Sequence, residues 1–183
     1  MSFEKIMKPL DELIQYFYNC PIIVEPQTET PLNLIMNEIK DIGGKIKGVS
    51  FGNTLRVELS LEDLEEFDKS KNIKKLRFDG DYKLLRGVIP EQESKFDKYL
   101  IELLSFIESI PVIVQTPDGL KEEDKMEVEK LGGEIKDSLW IINSYSATLP
   151  LNRIRELAEF FRVVRIWYDQ PLFGFYKVGG EIL

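Results

Sequence analysis

The chain has 183 residues, of which 43% are hydrophobic, and carries a net charge of −8 with no histidine. This is the composition of a globular protein, and its acidic balance (−2 over residues 1–90 and −6 over 91–183) argues against a nucleic-acid binder, which needs clustered Lys and Arg for the phosphate backbone. Without histidine there is no Ser-His-Asp or Cys-His nucleophile system, and the commonest zinc sites are excluded.

The opening stretch MSFEKIMKPLDELIQYFYNC is charged throughout and broken at Pro9, so it does not read as a signal peptide. Leu10, Leu13, Ile14 and Phe17 form an apolar stripe on a helix predicted over 9–18. Cys20 is the only cysteine and reads as a small buried hydrophobe. PIIVE at 21–25 is a strand. A helix follows, with Thr30 as its cap, Pro31 at its first position and Leu32, Ile35, Met36 and Ile39 on one face; Gly43 ends it in the left-handed region. KIKGVSF and TLRVEL alternate as a hairpin around Gly52-Asn53. Ser60 and Asp63 have the spacing of a capping box, and Leu61, Leu64 and Phe67 face inward from the helix they start. IKKLRF at 73–78 closes a β-α-β-β-α-β order.

The chain then repeats itself at a shift of ninety. Pro21-Ile22-Ile23-Val24 falls on Pro111-Val112-Ile113-Val114, Leu59 on Leu149, and Asp79 on Asp169. The glycine pairs Gly43-Gly44 and Gly132-Gly133 differ by one residue in register. Ahead of the second copy, RGVIPEQES links the halves, and a helix over 93–108 carries Phe96, Leu100, Leu103, Leu104 and Ile107. Within the copy, PVIVQ is a strand and LKEEDKMEVEKLGG a helix with a thin apolar face, chiefly Val128 and Leu131. EIKDSLWII and YSATL form a hairpin around Asn143-Ser144. LNRIRELAEFF is a helix with Ile154, Leu157 and Phe161 inward, and VVRIWYD is the last strand.

The expected fold is α+β. It is a tandem duplication of a ferredoxin-like unit, each copy an antiparallel sheet with helices on one face and preceded by an extra helix. The units span 1–86 and 87–183, and the other face of each sheet is left open to a partner or to a second copy of the chain. The acidic pairs Glu65-Glu66 and Glu122-Glu123-Asp124 read as solvated charge, and the glycine pairs as helix ends and not phosphate loops. Phe51, Trp140 and Tyr168 are the aromatics an RNA-recognition sheet would use, but the basic field is missing. No run is long enough to cross a bilayer. The expectation is a soluble cytoplasmic protein, not an enzyme, with no metal or cofactor and no nucleic-acid or membrane partner.

In the second copy, VIVQTPDG, LGGEIKDSLWIINSYSATLP and VVRIWYDQPLFGFY resemble the propeptides of subtilisin-like serine proteases, a family that includes free-standing protease inhibitors. Ser146-Ala147-Thr148-Leu149 stands at the family's Ser-Ala strand, and 163–169 at its final strand and acidic residue. The first copy matches in outline only. The resemblance implies a proteinaceous inhibitor, or trans-acting folding partner, of a subtilisin-like protease. The sheet face would pack on the enzyme and the tail would enter the cleft in extended form. It places Asp169 at the protease contact and Leu172, Phe173, Gly174, Phe175 and Tyr176 in the cleft, with Phe175 and Leu172 as anchors. The same spacing in the first copy would make Tyr82 and Leu85 a second head. Two other readings stay open: a non-inhibitory interaction or oligomerisation module on the same fold, and a small-ligand sensing domain.

Overall fold

A computed structural model describes residues 5–85 and 96–169. The first repeat runs α1 (Leu10–Tyr18), β1 (Cys20–Pro26), α2 (Leu32–Asp41), β2 (Lys45–Val49), β3 (Leu55–Leu59), α3 (Leu61–Asp68) and β4 (Ile73–Phe78). The second runs α4 (Lys98–Glu108), β5 (Ile110–Gln115), α5 (Glu122–Lys130), β6 (Glu134–Leu139), β7 (Ser144–Leu149), α6 (Ile154–Glu159) and β8 (Arg165–Tyr168). The sheets have the orders β2-β3-β1-β4 and β6-β7-β5-β8 and are antiparallel throughout. This is the ferredoxin-like arrangement, twice. The fold is α+β, as the sequence pattern predicts.

The repeated glycine pair has one physical cause in both copies. Its first member takes up a left-handed conformation past the helix end, φ +82° at Gly43 and +77° at Gly132. Its second lies where the chain enters the hairpin pressed against its own repeat. A Cβ on Gly44 would sit 2.7 Å from Ile39 Cγ2, and one on Gly133 would sit 2.6 Å from both Leu149 Cγ and the Thr148 carbonyl oxygen. Only a residue without a Cβ fits there.

Along each strand inward side chains alternate with outward ones, so Ile22, Val24, Val57, Leu76, Val112, Val114, Ala147 and Ile166 are buried on the helix side. The core is continuous across both repeats. Helices α1 and α4 each touch elements of both copies: α1 packs on β1, α3 and β8, and α4 on α3, β4 and β5. Helices α1 and α4 therefore lie between the two repeats, on the inner side of both sheets, and the other sheet faces point away from them.

The leading segments are also exchanged. Ile6 forms a parallel bridge with Ile166 of the second sheet, and Phe96 forms one with Leu76 of the first. The Met7 N–H donates to the Ile166 carbonyl and the Asp97 N–H to the Leu76 carbonyl, at 2.9 and 3.0 Å. Both residue pairs obey the ninety-residue shift, so the exchange is reciprocal. Each segment covers part of the outer edge of the other repeat's last strand, an edge that would otherwise offer unpaired backbone groups. Asp97 completes the joint: its carboxylate caps α4 by accepting from the Leu100 N–H and reaches back to accept from the Phe78 N–H, both at 2.9 Å.

Several expectations need correction. Helix α2 begins at Leu32, with Pro31 in the cap position at ψ 133°. Thr30 belongs to the preceding turn, its N–H donating to the Gln27 carbonyl. The described part of the helix expected over 93–108 starts at Lys98, because Asp97 caps it; Phe96 lies before the cap in the bridge to β4, and 93–95 fall outside the described residues. Phe106, absent from the predicted stripe, is buried. Helix α6 ends at Glu159, and the extended conformation of Phe160 breaks the helical period, so Phe161 is 76% exposed and not inward. Asp124, expected in solvent, is completely buried. Phe51 and Trp140 sit in the hairpin-tip 3-10 turns Phe51–Asn53 and Trp140–Ile142 and not on the sheets, while Tyr168 faces the core.

Candidate functional site: the outer face of the second sheet

The two outward faces differ although the backbones repeat. On the first sheet, Glu25 of β1 pairs with Lys74 at 3.2 Å and Arg77 at 2.5 Å, and Arg56 of β3 pairs with Asp79 at 2.7 Å. Lys47 of β2 pairs with Glu58 at 2.8 Å. Hydrogen bonding from Arg77 holds the Glu25 carboxyl below its ordinary range, against a desolvation that pushes it up. This face is tiled by ion pairs.

On the second sheet the two central β-strand positions that carry Arg56 and Glu58 in the first are short and uncharged. Ser146 stands where the first repeat has Arg56, and Thr148 where it has Glu58. Ile113 lies between Ser146 of β7 and Trp167 of β8 in register, and both Ile113 and Trp167 are partly exposed. The charges here lie on the edge strands: Arg165 on β8, and on β6 the Glu134–Lys136 pair and Asp137, which is in register with Ser146. A face with small polar side chains over its centre and an Ile–Trp pair beside them can be dried by a partner at lower cost than the first, because its centre carries no ion pair.

The register fixes where this face begins and ends. The Asp169 N–H donates to the Pro111 carbonyl at 3.0 Å, as the Asp79 N–H does to that of Pro21 at 2.9 Å. The described part of the last strand's exit thus stands at the end of the sheet where Pro111 and Thr148 lie opposite each other. The hairpin tip, with Trp140 76% exposed and Ile141 and Ile142 also exposed, lies at the opposite end. Three consecutive exposed apolar side chains are unusual on a surface that contacts only water.

Of the residues implied by the family resemblance, Asp169 is at the sheet terminus as described. Leu172, Phe173, Gly174, Phe175 and Tyr176 lie outside the described residues. Tyr82 and Leu85 are folded onto the first repeat: the Tyr82 hydroxyl donates to the Phe78 carbonyl at 2.8 Å, its ring contacts those of Phe78 and Tyr99, and Leu85 is buried.

A polar cluster that sequence reasoning missed stands behind this sheet, on its helix side. Arg162 Nε and Nη2 donate to Asp124 Oδ1 and Oδ2 at 2.9 and 3.1 Å, and Nη2 also reaches Asp118 Oδ1 at 2.8 Å and the Gly119 carbonyl at 3.0 Å. Asp124 Oδ2 in turn accepts from the Lys121 N–H at 2.8 Å, closing the start of α5. The hydrogen bonds that the guanidinium donates to Asp124, then to Asp118, drive it further toward its charged form. The signal in the sequence was an acidic residue on the apolar face of α5, at a position where the first repeat has Ile35. The cluster is structural: it ties the β5–α5 loop and α5 to the segment after α6.

Among the described residues no group of three or more His, Cys, Asp or Glu is placed to hold a metal ion. Cys20 is fully buried, and burial pushes its thiol up, away from the reactive thiolate. No described helix is long and apolar enough to cross a membrane. No family model, curated protein or solved structure matches the chain.

Proposed function

We propose that this protein is a proteinaceous inhibitor, or trans-acting folding partner, of a cytoplasmic subtilisin-like serine protease, and is not itself an enzyme. The observation that carries the reading is the difference between the outer sheet faces: the centre of the second lacks the ion pairs that tile the first, and Asp169, which follows its last strand, lies beside that face. A partner seated on it would meet the chain that continues as PLFGFY. Extended in a protease cleft, this stretch would add as a strand, with Leu172 and Phe175 filling apolar pockets and Gly174 allowing close backbone approach. The first repeat supports the second through the shared core; of its candidate second head, Leu85 is buried and Tyr82 packs on Phe78 while staying 47% exposed.

The test is titration of a broad-specificity subtilisin-like protease with the full chain, following hydrolysis of a chromogenic peptide. Tight inhibition that is lost in Phe175→Asp and on truncation after Phe173 supports the reading. Slow digestion of the chain as an ordinary substrate, or no effect, refutes it. The exposed Trp140-Ile141-Ile142 tip favours a second reading, an interaction or oligomerisation module with no inhibitory action. Sedimentation of the full chain separates the two, since self-association lost in Trp140→Ser belongs to the second.

A further inference from the structure

Phe161 leads to a surface that the proposed inhibitory role does not use. Phe160 and Phe161 pack edge to face, with ring centroids 4.8 Å apart, and border a groove of about 470 Å³ against one side of α5. The opposite wall is Glu123, Met126, Glu127 and Lys130. Phe161 is 76% exposed and Met126 65% exposed. The equivalent groove in the first repeat has neither aromatic: Ser70 and Lys71 stand in place of Phe160 and Phe161, and Glu38 is engaged there by Ser70 and Asn72. Both grooves carry carboxylates, but in the first copy Glu38 is engaged by its neighbours and the one aromatic, Phe67, is buried, whereas the second presents the exposed ring of Phe161.

We propose that this groove docks a lysine or arginine side chain of a partner protein. The occupant follows from charge and shape complementarity. A ring face and a thioether suit an aliphatic stem, the ring quadrupole attracts a cation, and two carboxylates lie along the far wall. A purely apolar guest would desolvate those carboxylates without pairing them, and an acidic guest would be repelled. Lys130 bonds Glu127 at 3.2 Å but is largely exposed and lies three residues on in the same helix, an interaction weak enough for an incoming cation to displace. Glu123 lies 3.9 Å from Arg162 Nε, which donates to Asp124 at 2.9 Å, while Nη2 of the same guanidinium holds Asp118. That leaves Glu123 available to the guest.

The experiment is an NMR titration of the isotopically labelled full chain, reading the Met126 methyl and the Phe161 ring. The probes are N-acetyl-lysine methylamide, N-acetyl-arginine methylamide and the uncharged norleucine analogue. The expected result is a saturable shift at both reporters with the two cations, at least about fivefold weaker with norleucine. At Met126 it should be lost in Phe161→Ala, and at both reporters it should be weakened in Glu123→Gln; both are exposed positions where folding is not at stake. No saturable shift, equal binding of norleucine, or shifts unchanged by Phe161→Ala overturn the proposal. So does a shift produced by raising the protein concentration alone, which would put a second copy in the groove. No readout involves a protease, so this test and the inhibition assay fail independently.

Discussion

Arg162 lies in fork-to-fork contact with Asp124, a carboxylate that no solvent reaches, and the guanidinium side chain is itself only 9% exposed. Asp124 can be buried because every direction it faces holds a donor: the guanidinium on one side and the Lys121 N–H on the other. The pair joins the start of α5 to the chain just before β8, the two stretches that flank β5 in the second repeat.

Breaking this pair from one side should cost far more than removing it whole. Arg162→Ala would leave a buried carboxylate with one remaining donor, a loss of about 3–5 kcal/mol. The double variant Asp124→Leu, Arg162→Met should recover most of that, since the first repeat fills the Asp124 position with Ile35. Urea unfolding of the two variants checks this. Equal losses in both would mean that the pair is not the unit of stability.

The repeat, the order of elements and the two outward faces were legible in the sequence because alternation and glycine placement are local signals. The inward direction of Phe161 was misread because the helical period was extended past Glu159, where the backbone turns out of the helix. Asp124 was misread for a different reason. Its burial depends on Arg162, 38 residues away, and no local pattern announces such a partner. The exchange of leading segments is likewise a long-range fact. Ile6 and Phe96 were available as apolar residues, but nothing near them says that each pairs with the other copy. The difference between the sheet faces could have been found by laying the repeats over one another and asking where charge had become serine or threonine.

Tyr145 fills the core next to this cluster, and its hydroxyl is buried without a hydrogen-bond partner among the described residues. Burial, reinforced by the nearby Asp124 charge, pushes the phenol up and keeps it neutral. An orphan hydroxyl is a net cost. Tyr145→Phe should therefore be neutral or stabilising by about 1 kcal/mol, read as an upward shift of the thermal midpoint. A clear loss of stability would show that the hydroxyl is satisfied in solution.

Gly133 and Gly48 offer a paired test of why this chain repeats its glycines. A Cβ at Gly133 meets Leu149, the Thr148 carbonyl and Val128 at under 3.0 Å, whereas at Gly48 nothing lies within 4 Å. Gly133→Ala should destabilise by about 1–3 kcal/mol through forced displacement of backbone and core. Gly48→Ala should be neutral or slightly stabilising, because it narrows the unfolded ensemble. If the two variants unfold alike, close approach is not what the second glycine of the pair is for.

Glu25 makes the tiling of the first sheet face testable through pH. Its folded carboxyl titrates below its ordinary value, because Arg77 first and Lys74 next favour the charged form. The unfolded state then binds the proton more readily as the medium is acidified, so the contribution of Glu25 is complete above its unfolded value of about 4.3 and disappears as pH falls through the folded one. Glu25→Gln should thus lower stability at pH 7 by no more than about 1 kcal/mol, given how exposed both cations are. The gap between variant and parent should close as pH is brought below about 4, and it should shrink at pH 7 in high salt. Denaturant midpoints of both proteins across this range decide the matter. A gap that persists at low pH would assign the loss to packing and not to the charges of Arg77 and Lys74.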